Sequence, residues 1–125
     1  MSDNATLVKD AYAAFGKGDI GTVLDLLSED VDWRSPRTIP HGGDFHGKAD
    51  VGQFFEAIGA NWKSLPLDVE AVADIGGGLV VGVLRADGTR RNGARQSYGA
   101  THVFTVSDGK ISRFREFVDL DAPLG

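Results

Sequence analysis

Apolar side chains recur at spacings of three and four through Leu7, Val8, Ala11, Tyr12 and Phe15, which predicts an amphipathic helix capped by Asn4 and ended by Gly16 and Gly18. A second, shorter helix follows, with Asp19 as its cap and Ile20, Val23, Leu24 and Leu27 on its buried side. Val31-Asp32-Trp33-Arg34 reads as a brief strand, stopped by Ser35-Pro36 because proline cannot donate to a ladder. A loop containing Pro40, Gly42, Gly43 and Gly47 leads into a third helix, whose Val51, Phe54, Phe55, Ile58 and Trp62 share one side.

Beyond Pro66 the period falls to two. Leu67, Val69, Ala71, Ala73 and Ile75 alternate with polar residues, Val72 being the exception, as in a half-buried strand. Gly76-Gly77-Gly78 is a turn that opens no helix and so lacks the context of a phosphate loop, and Leu79 to Leu84 reads as a central strand. Strands near Arg95 to Val106 and Lys110 to Leu120 complete a series of four antiparallel strands. The layout is α+β: a cone-shaped roll in which three N-terminal helices pack on a strongly curved, mainly antiparallel sheet and leave a hollow suited to a small apolar ligand.

The last two strands flank Asp108-Gly109, and the length of that turn decides which side chains share a face. A three-residue loop, Ser107-Asp108-Gly109, pairs Val106 with Lys110 and puts His102, Phe114 and Glu116 on one face. A two-residue loop sets His102 opposite Arg115 instead.

At 125 residues the chain suits one domain, and its 42% hydrophobic and 25% charged residues mark an ordinary globular protein. A net charge of −5 argues against a nucleic-acid binder. Arg85, Arg90, Arg91 and Arg95 form a local basic cluster around Asp87-Gly88 and Asn92-Gly93, read as a solvated hairpin tip rather than an anion site. The absence of cysteine removes disulfides and thiolate chemistry. With no signal-like start or transmembrane-length run, a cytoplasmic location away from membranes is expected. His41, Asp44 and His46 lie close in sequence, but a glycine loop fixes no ligand geometry, so no metal and no cofactor are expected.

The element order, with Tyr12-Ala13-Ala14-Phe15, Gly18-Asp19, Leu26-Leu27-Ser28-Glu29-Asp30-Val31, Gly47-Lys48, Phe54-Phe55 and Asp108-Gly109-Lys110-Ile111, resembles the SnoaL-like and ketosteroid isomerase-like branch of the nuclear transport factor 2-like superfamily. The resemblance covers nearly the whole chain and implies a homodimer formed through the outer sheet face. Steroid isomerization needs an aspartate base with a tyrosine and a protonated aspartic acid around the oxyanion. Here Ser35 stands at the base position and Tyr12 is one residue out of place, so that reaction is not expected. SnoaL-like cyclases use a histidine on the penultimate strand and an aspartate on the last, and His102 and Glu116 stand at the corresponding places.

Glu116, in an apolar lining that raises its pKa, is thus the candidate base, with His102 as its proton-transfer partner. Tyr12, Trp33, Phe54 and Phe114 are candidates for the substrate-binding wall. Tyr12 is expected to pack its ring and leave its hydroxyl at the rim, and Trp62 to close the end of its helix. Two functions remain open: an isomerase-, lyase- or cyclase-type enzyme acting on an apolar carbonyl compound, or a non-catalytic ligand-binding or dimerization module. In the second, Glu116 and His102 satisfy each other or Arg113 and Arg115.

Overall fold

A computed structural model of the protein describes residues 2–119. Helices α1 (Asp3–Gly16) and α2 (Ile20–Asp25) lead into strand β1 (Leu27–Ser35), which starts four residues before Val31. Next come β2 (Gly43–His46), helix α3 (Lys48–Asn61) and the short β3 (Trp62–Ser64). Four long strands follow: β4 (Leu67–Gly76), β5 (Leu79–Arg90), β6 (Arg95–Ser107) and β7 (Lys110–Val118). The expected end of the last strand, Leu120, lies outside the described residues.

Ser2, not Asn4, caps α1: its hydroxyl accepts the Ala5 N–H at 3.2 Å and donates to the Asp74 carboxylate on β4. Asp19 caps α2 by accepting from the Thr22 N–H at 3.2 Å. Trp62 does not continue α3. Its extended backbone opens β3, which pairs with the end of β5.

The sheet runs β2-β1-β7-β6-β5-β3, with β4 also paired to β5, and every pair is antiparallel except β1 with β7. It curls strongly into a half-barrel around the helices, so the α+β cone is the observed architecture. Even-numbered residues of β5 and β6, from Val80 to Gly88 and from Tyr98 to Val106, face the interior. The exception at Val72 has a structural cause. Glu70 is an extra residue between the pairs Val69–Leu84 and Ala71–Val83, and this bulge shifts the inward face from Leu67 and Val69 to Val72.

Two buried clusters hold the elements together. One joins α1, α3, β1 and the strand ends near the Asp108-Gly109 turn through Val8, Trp33, Val51, Phe54, Phe104 and Phe114. The other gathers Ile39, Trp62, Leu84, Ala86, Tyr98 and Ala100. Tyr12 and Ile58 pack against both. No helix among the described residues is long and apolar enough to cross a membrane.

Candidate functional site

The hairpin that carries His102 and Glu116 combines both readings of its turn. Ser107 pairs with Lys110 across a two-residue loop, and the positive φ of Asp108 (52°) and Gly109 (75°) give it the primed turn that matches strand twist. Such a loop alone would set His102 against Arg115. Ser112 intervenes as a bulge, because Val106 pairs with Ile111 while Thr105 pairs with Arg113, and the shifted register sets His102 directly opposite Glu116. Without that one extra residue, Arg113 and Arg115 would face the interior. Arg115 instead lies on the other face and pairs with Asp32 at 2.9 Å, so it does not serve Glu116.

Inside the cone the two side chains meet. His102 Nε2 lies 2.7 Å from Glu116 Oε2, and each side chain is only 7% exposed. The other carboxylate oxygen accepts the Ser35 hydroxyl at 2.5 Å, and the Tyr12 hydroxyl lies 2.8 Å from His102 Nδ1. Burial is the largest influence on Glu116 and pushes its pKa up, yet the hydrogen bond and charge of His102, with the Ser35 hydrogen bond, outweigh it and hold the carboxyl below its usual range. The expected rise is therefore reversed, because donors reach both carboxylate oxygens and outweigh the apolar lining. Burial, helped by the negative charge of Glu116, drives the Tyr12 hydroxyl well above the ordinary tyrosine value and keeps it protonated. That hydroxyl is bonded to His102 rather than left at the rim.

Gly82 makes this contact possible. It pairs with His102 across β5 and β6, and a Cβ built on it would occupy the space of the Tyr12 hydroxyl.

The six side chains singled out in the sequence, Tyr12, Trp33, Phe54, His102, Phe114 and Glu116, all line one cavity of ≈ 70 Å³. A single water needs about 10–15 Å³ of such space, so the cavity admits more than one water. Trp33 stacks on Phe114 at 3.9 Å, Phe54 meets Trp33 at 5.4 Å, and Phe114 lies edge-on to His102 at 4.7 Å. The wall holds the His102–Glu116 pair in a largely apolar surrounding.

Three contributors to the cavity lie outside the expected site residues. Ser35 reaches Glu116 because β1 runs parallel beside β7, a pairing that joins distant residues with no local signal. His41 and Tyr98 also line the cavity. His41 leaves its glycine loop to become 3% exposed, and its Nδ1 accepts the Trp62 indole N–H at 3.0 Å. Burial, above all, and the charge of Arg90 lower its pKa to about 4 against the opposing pull of Glu116, so its ring is neutral near pH 7. His46 and Asp44 remain exposed, so the loop's acid and imidazole groups diverge.

The arginine cluster does flank the exposed turn between β5 and β6, with Arg85, Arg91 and Arg95 exposed, but part of it is tied to the body of the fold. Asp87-Gly88 lies within β5, Arg90 stacks on Trp62 at 5.1 Å and donates to the Asn61 carbonyl, and Arg91 donates to the Gly59 carbonyl near the end of α3.

The SnoaL-like domain family model matches residues 8–114. An NTF2-like protein of unknown function from Burkholderia pseudomallei is 26% identical in sequence and superposes with a TM-score of 0.88 over 95% of this chain and 92% of that one. TerC, co-crystallized with polyporic acid, is 25% identical, with a TM-score of 0.85 over 94% and 92% of the two chains. Bal32a, from a soil-derived mobile gene cassette, is 29% identical, with a TM-score of 0.83 over 93% and 88%. No curated protein sequence matches the chain significantly.

Proposed function

The chain belongs to the SnoaL-like domain family, and from that premise we propose that it is a cofactor-independent enzyme that moves a proton on a small, largely apolar carbonyl compound. The observation that carries this reading is the buried contact of 2.7 Å between His102 and Glu116 at the wall of an aromatic cavity. Held below its usual pKa, the Glu116 carboxyl is an anion at neutral pH and can accept a proton from the carbon beside a carbonyl. The electron pair left behind moves onto the carbonyl oxygen as an enolate. Returning the proton at another carbon completes an isomerization, expelling a group from the neighbouring carbon completes an elimination, and attack on a second carbonyl closes a ring. His102 Nε2 and the Ser35 hydroxyl fix one carboxylate oxygen each, which orients the base toward the cavity. The co-crystallization of TerC with polyporic acid supports reading the cavity as a ligand site.

Acetophenone, a small aryl ketone, tests the base directly. In deuterium oxide the wild-type protein exchanges the methyl protons of this ketone, followed by NMR, and Glu116→Gln loses at least about 100-fold of that rate while still binding the ketone. Equal rates in the two proteins, or binding without exchange in the wild type, would replace the enzyme by a ligand-binding module.

The same reading includes a homodimer through the outer sheet face. Val83, Thr101 and Phe117 form one row across β5, β6 and β7, and Phe117 is 60% exposed. Phe117→Glu turns a dimer into a monomer on size exclusion if this row is the interface, and leaves the elution unchanged if it is not.

A further inference from the structure

Two polar groups of the cavity are left over once the His102–Glu116 pair is accounted for, and the chemistry of their neighbours fixes what each can do. An indole N–H only donates, so Trp62 obliges His41 Nδ1 to accept, and a neutral imidazole that accepts at Nδ1 carries its proton on Nε2. Trp62 is itself 2% exposed and packed over Gly88, where a Cβ would fall inside its six-membered ring, so the indole cannot turn away to release the imidazole. His41 Nε2 has no hydrogen-bond partner among the described residues, and neither has the Tyr98 hydroxyl. The buried polar atoms sealed without a partner are Ser28 Oγ, Trp33 Nε1 and Thr38 Oγ1. The nitrogen and the hydroxyl are not among them, although both residues are 3% exposed, so neither atom is sealed off, and both residues line the cavity. The negative charge of Glu116 acts on both groups, and among the described residues no carboxylate or carbonyl is bonded to either. Two neutral donors thus line an apolar hollow that also holds an anionic base.

We propose that His41 Nε2–H and the Tyr98 hydroxyl bind the carbonyl oxygen of the substrate, and so select compounds whose carbonyl oxygen accepts two hydrogen bonds while Glu116 meets the adjacent carbon. This rests on the reading of the cavity as a carbonyl site. Both groups remain protonated as the carbon loses its proton: the tautomer lock fixes the His41 proton, and burial holds the Tyr98 hydroxyl far above the ordinary tyrosine value. Each therefore donates to the enolate oxygen without handing over its proton, which is what stabilizes charge that develops on oxygen. The division of labour is between a basic end, Ser35-Glu116-His102-Tyr12, and a donating end, Trp62-His41 with Tyr98.

Acetophenone and α-methylstyrene form the test pair, because a methylene replaces the oxygen and the alkene accepts no comparable hydrogen bond. Dissociation constants for both are measured by NMR titration on wild type, Tyr98→Phe, His41→Phe and Glu116→Gln, with thermal melts to verify folding. Tyr98→Phe and His41→Phe each lower the preference for ketone over alkene by about three- to tenfold, as loss of one hydrogen bond requires, while Glu116→Gln leaves it within about twofold. Heteronuclear NMR of the imidazoles in the protein alone shows His41 protonated at Nε2 and bare at Nδ1. A ketone preference unchanged in both donor variants, parallel losses for the two ligands, no measurable binding of either by the wild type, or a proton on His41 Nδ1 overturns the proposal. Loss of exchange in Glu116→Gln with an unchanged preference in the donor variants leaves the proton-transfer reading standing and removes this one. Loss of preference in the donor variants without any exchange in the wild type does the reverse.

Discussion

The cavity has two histidines, and their surroundings run parallel until the last atom. Both imidazoles are buried, at 6% and 3% exposure for His102 and His41, and both meet an aromatic side chain at Nδ1, Tyr12 at 2.8 Å and Trp62 at 3.0 Å. Each aromatic group sits over an inward-facing glycine of β5, Tyr12 over Gly82 and Trp62 over Gly88. The difference lies in the second ring nitrogen and in the kind of aromatic partner. His102 Nε2 faces a carboxylate, and a tyrosine hydroxyl either donates or accepts, so a proton on either side of that ring has somewhere to go. His41 Nε2 has no such partner among the described residues, and an indole only donates, so its single proton is locked in place. One scaffold, a glycine that admits an aromatic ring that holds an imidazole, makes a mobile proton at one end and a fixed one at the other.

The largest expected break in this comparison is by acid. The folded-state pKa of His41 is about 4, against 6.5 for the ordinary residue, so between these values the unfolded chain binds a proton that the folded chain does not. Stability is therefore complete above about pH 7 and falls as pH drops from 6.5 toward 4, by on the order of 3 kcal/mol from this residue. Glu116 is also lowered from an ordinary value of 4.5, so its contribution is present above that value and is lost on going below it, at the acid end of the His41 window or beneath it. Urea unfolding at a series of pH values separates the two. His41→Phe removes the decline between pH 6.5 and 5, whereas Glu116→Gln leaves it; a decline that persists in His41→Phe means that another group causes it.

The glycines come next in size. Neither Gly82 nor Gly88 has a positive φ, so only space forbids a side chain at either position. Gly88→Ala drives a methyl into an indole that is 2% exposed and also approaches Leu65, at a cost of about 2–3 kcal/mol in urea unfolding. Gly82→Ala meets a half-buried tyrosine that can swing toward the rim, and costs about 1 kcal/mol. The smaller stability loss comes with the larger change in chemistry, because Tyr12 then leaves His102 Nδ1, visible as a change in that nitrogen's NMR shift. Equal costs at the two positions would show that the seats are interchangeable and that the tyrosine end is as rigid as the tryptophan end.

The two ends also differed in how far the sequence disclosed them. Period-two alternation around Asp108-Gly109 singled out His102 and Glu116, since both are separated by even steps from apolar neighbours on strands with an evident turn. The turn itself did not decide their facing: the loop has two residues, and the bulge at Ser112 restores the shared face, which a serine in a strand does not announce. The bulge at Glu70 left a visible trace because it displaced an apolar residue, Val72, out of the alternation. His41 stayed hidden because its position depends on Trp62, whose spacing fits the last turn of α3 although its backbone is extended. Ser35 was visible at the base position, but its bond to Glu116 was not, because that carboxylate is 81 residues away, on a parallel neighbour.

Ser35 sharpens the comparison through the acid limb of the base alone. It is a third group at the His102 end with no counterpart at the His41 end, and its hydroxyl, 4% exposed as a residue, donates to Glu116 Oε1 at 2.5 Å. That bond favours the ionized carboxylate, so Ser35→Ala raises the Glu116 pKa, and about 1.4 kcal/mol of lost stabilization corresponds to about one pH unit. The acid limb of the acetophenone exchange profile, where Glu116 becomes protonated, moves to higher pH by about that amount. Above the limb two effects oppose: the freed carboxylate is more basic but less firmly aimed, so the plateau rate changes by less than about tenfold in either direction. The imidazole NMR signals of His41 stay where they are, because no bond joins Ser35 to that ring. A shifted acid limb with an unmoved His41 signal assigns Ser35 to the basic end alone, and movement of both signals shows that the two ends share one hydrogen-bond network.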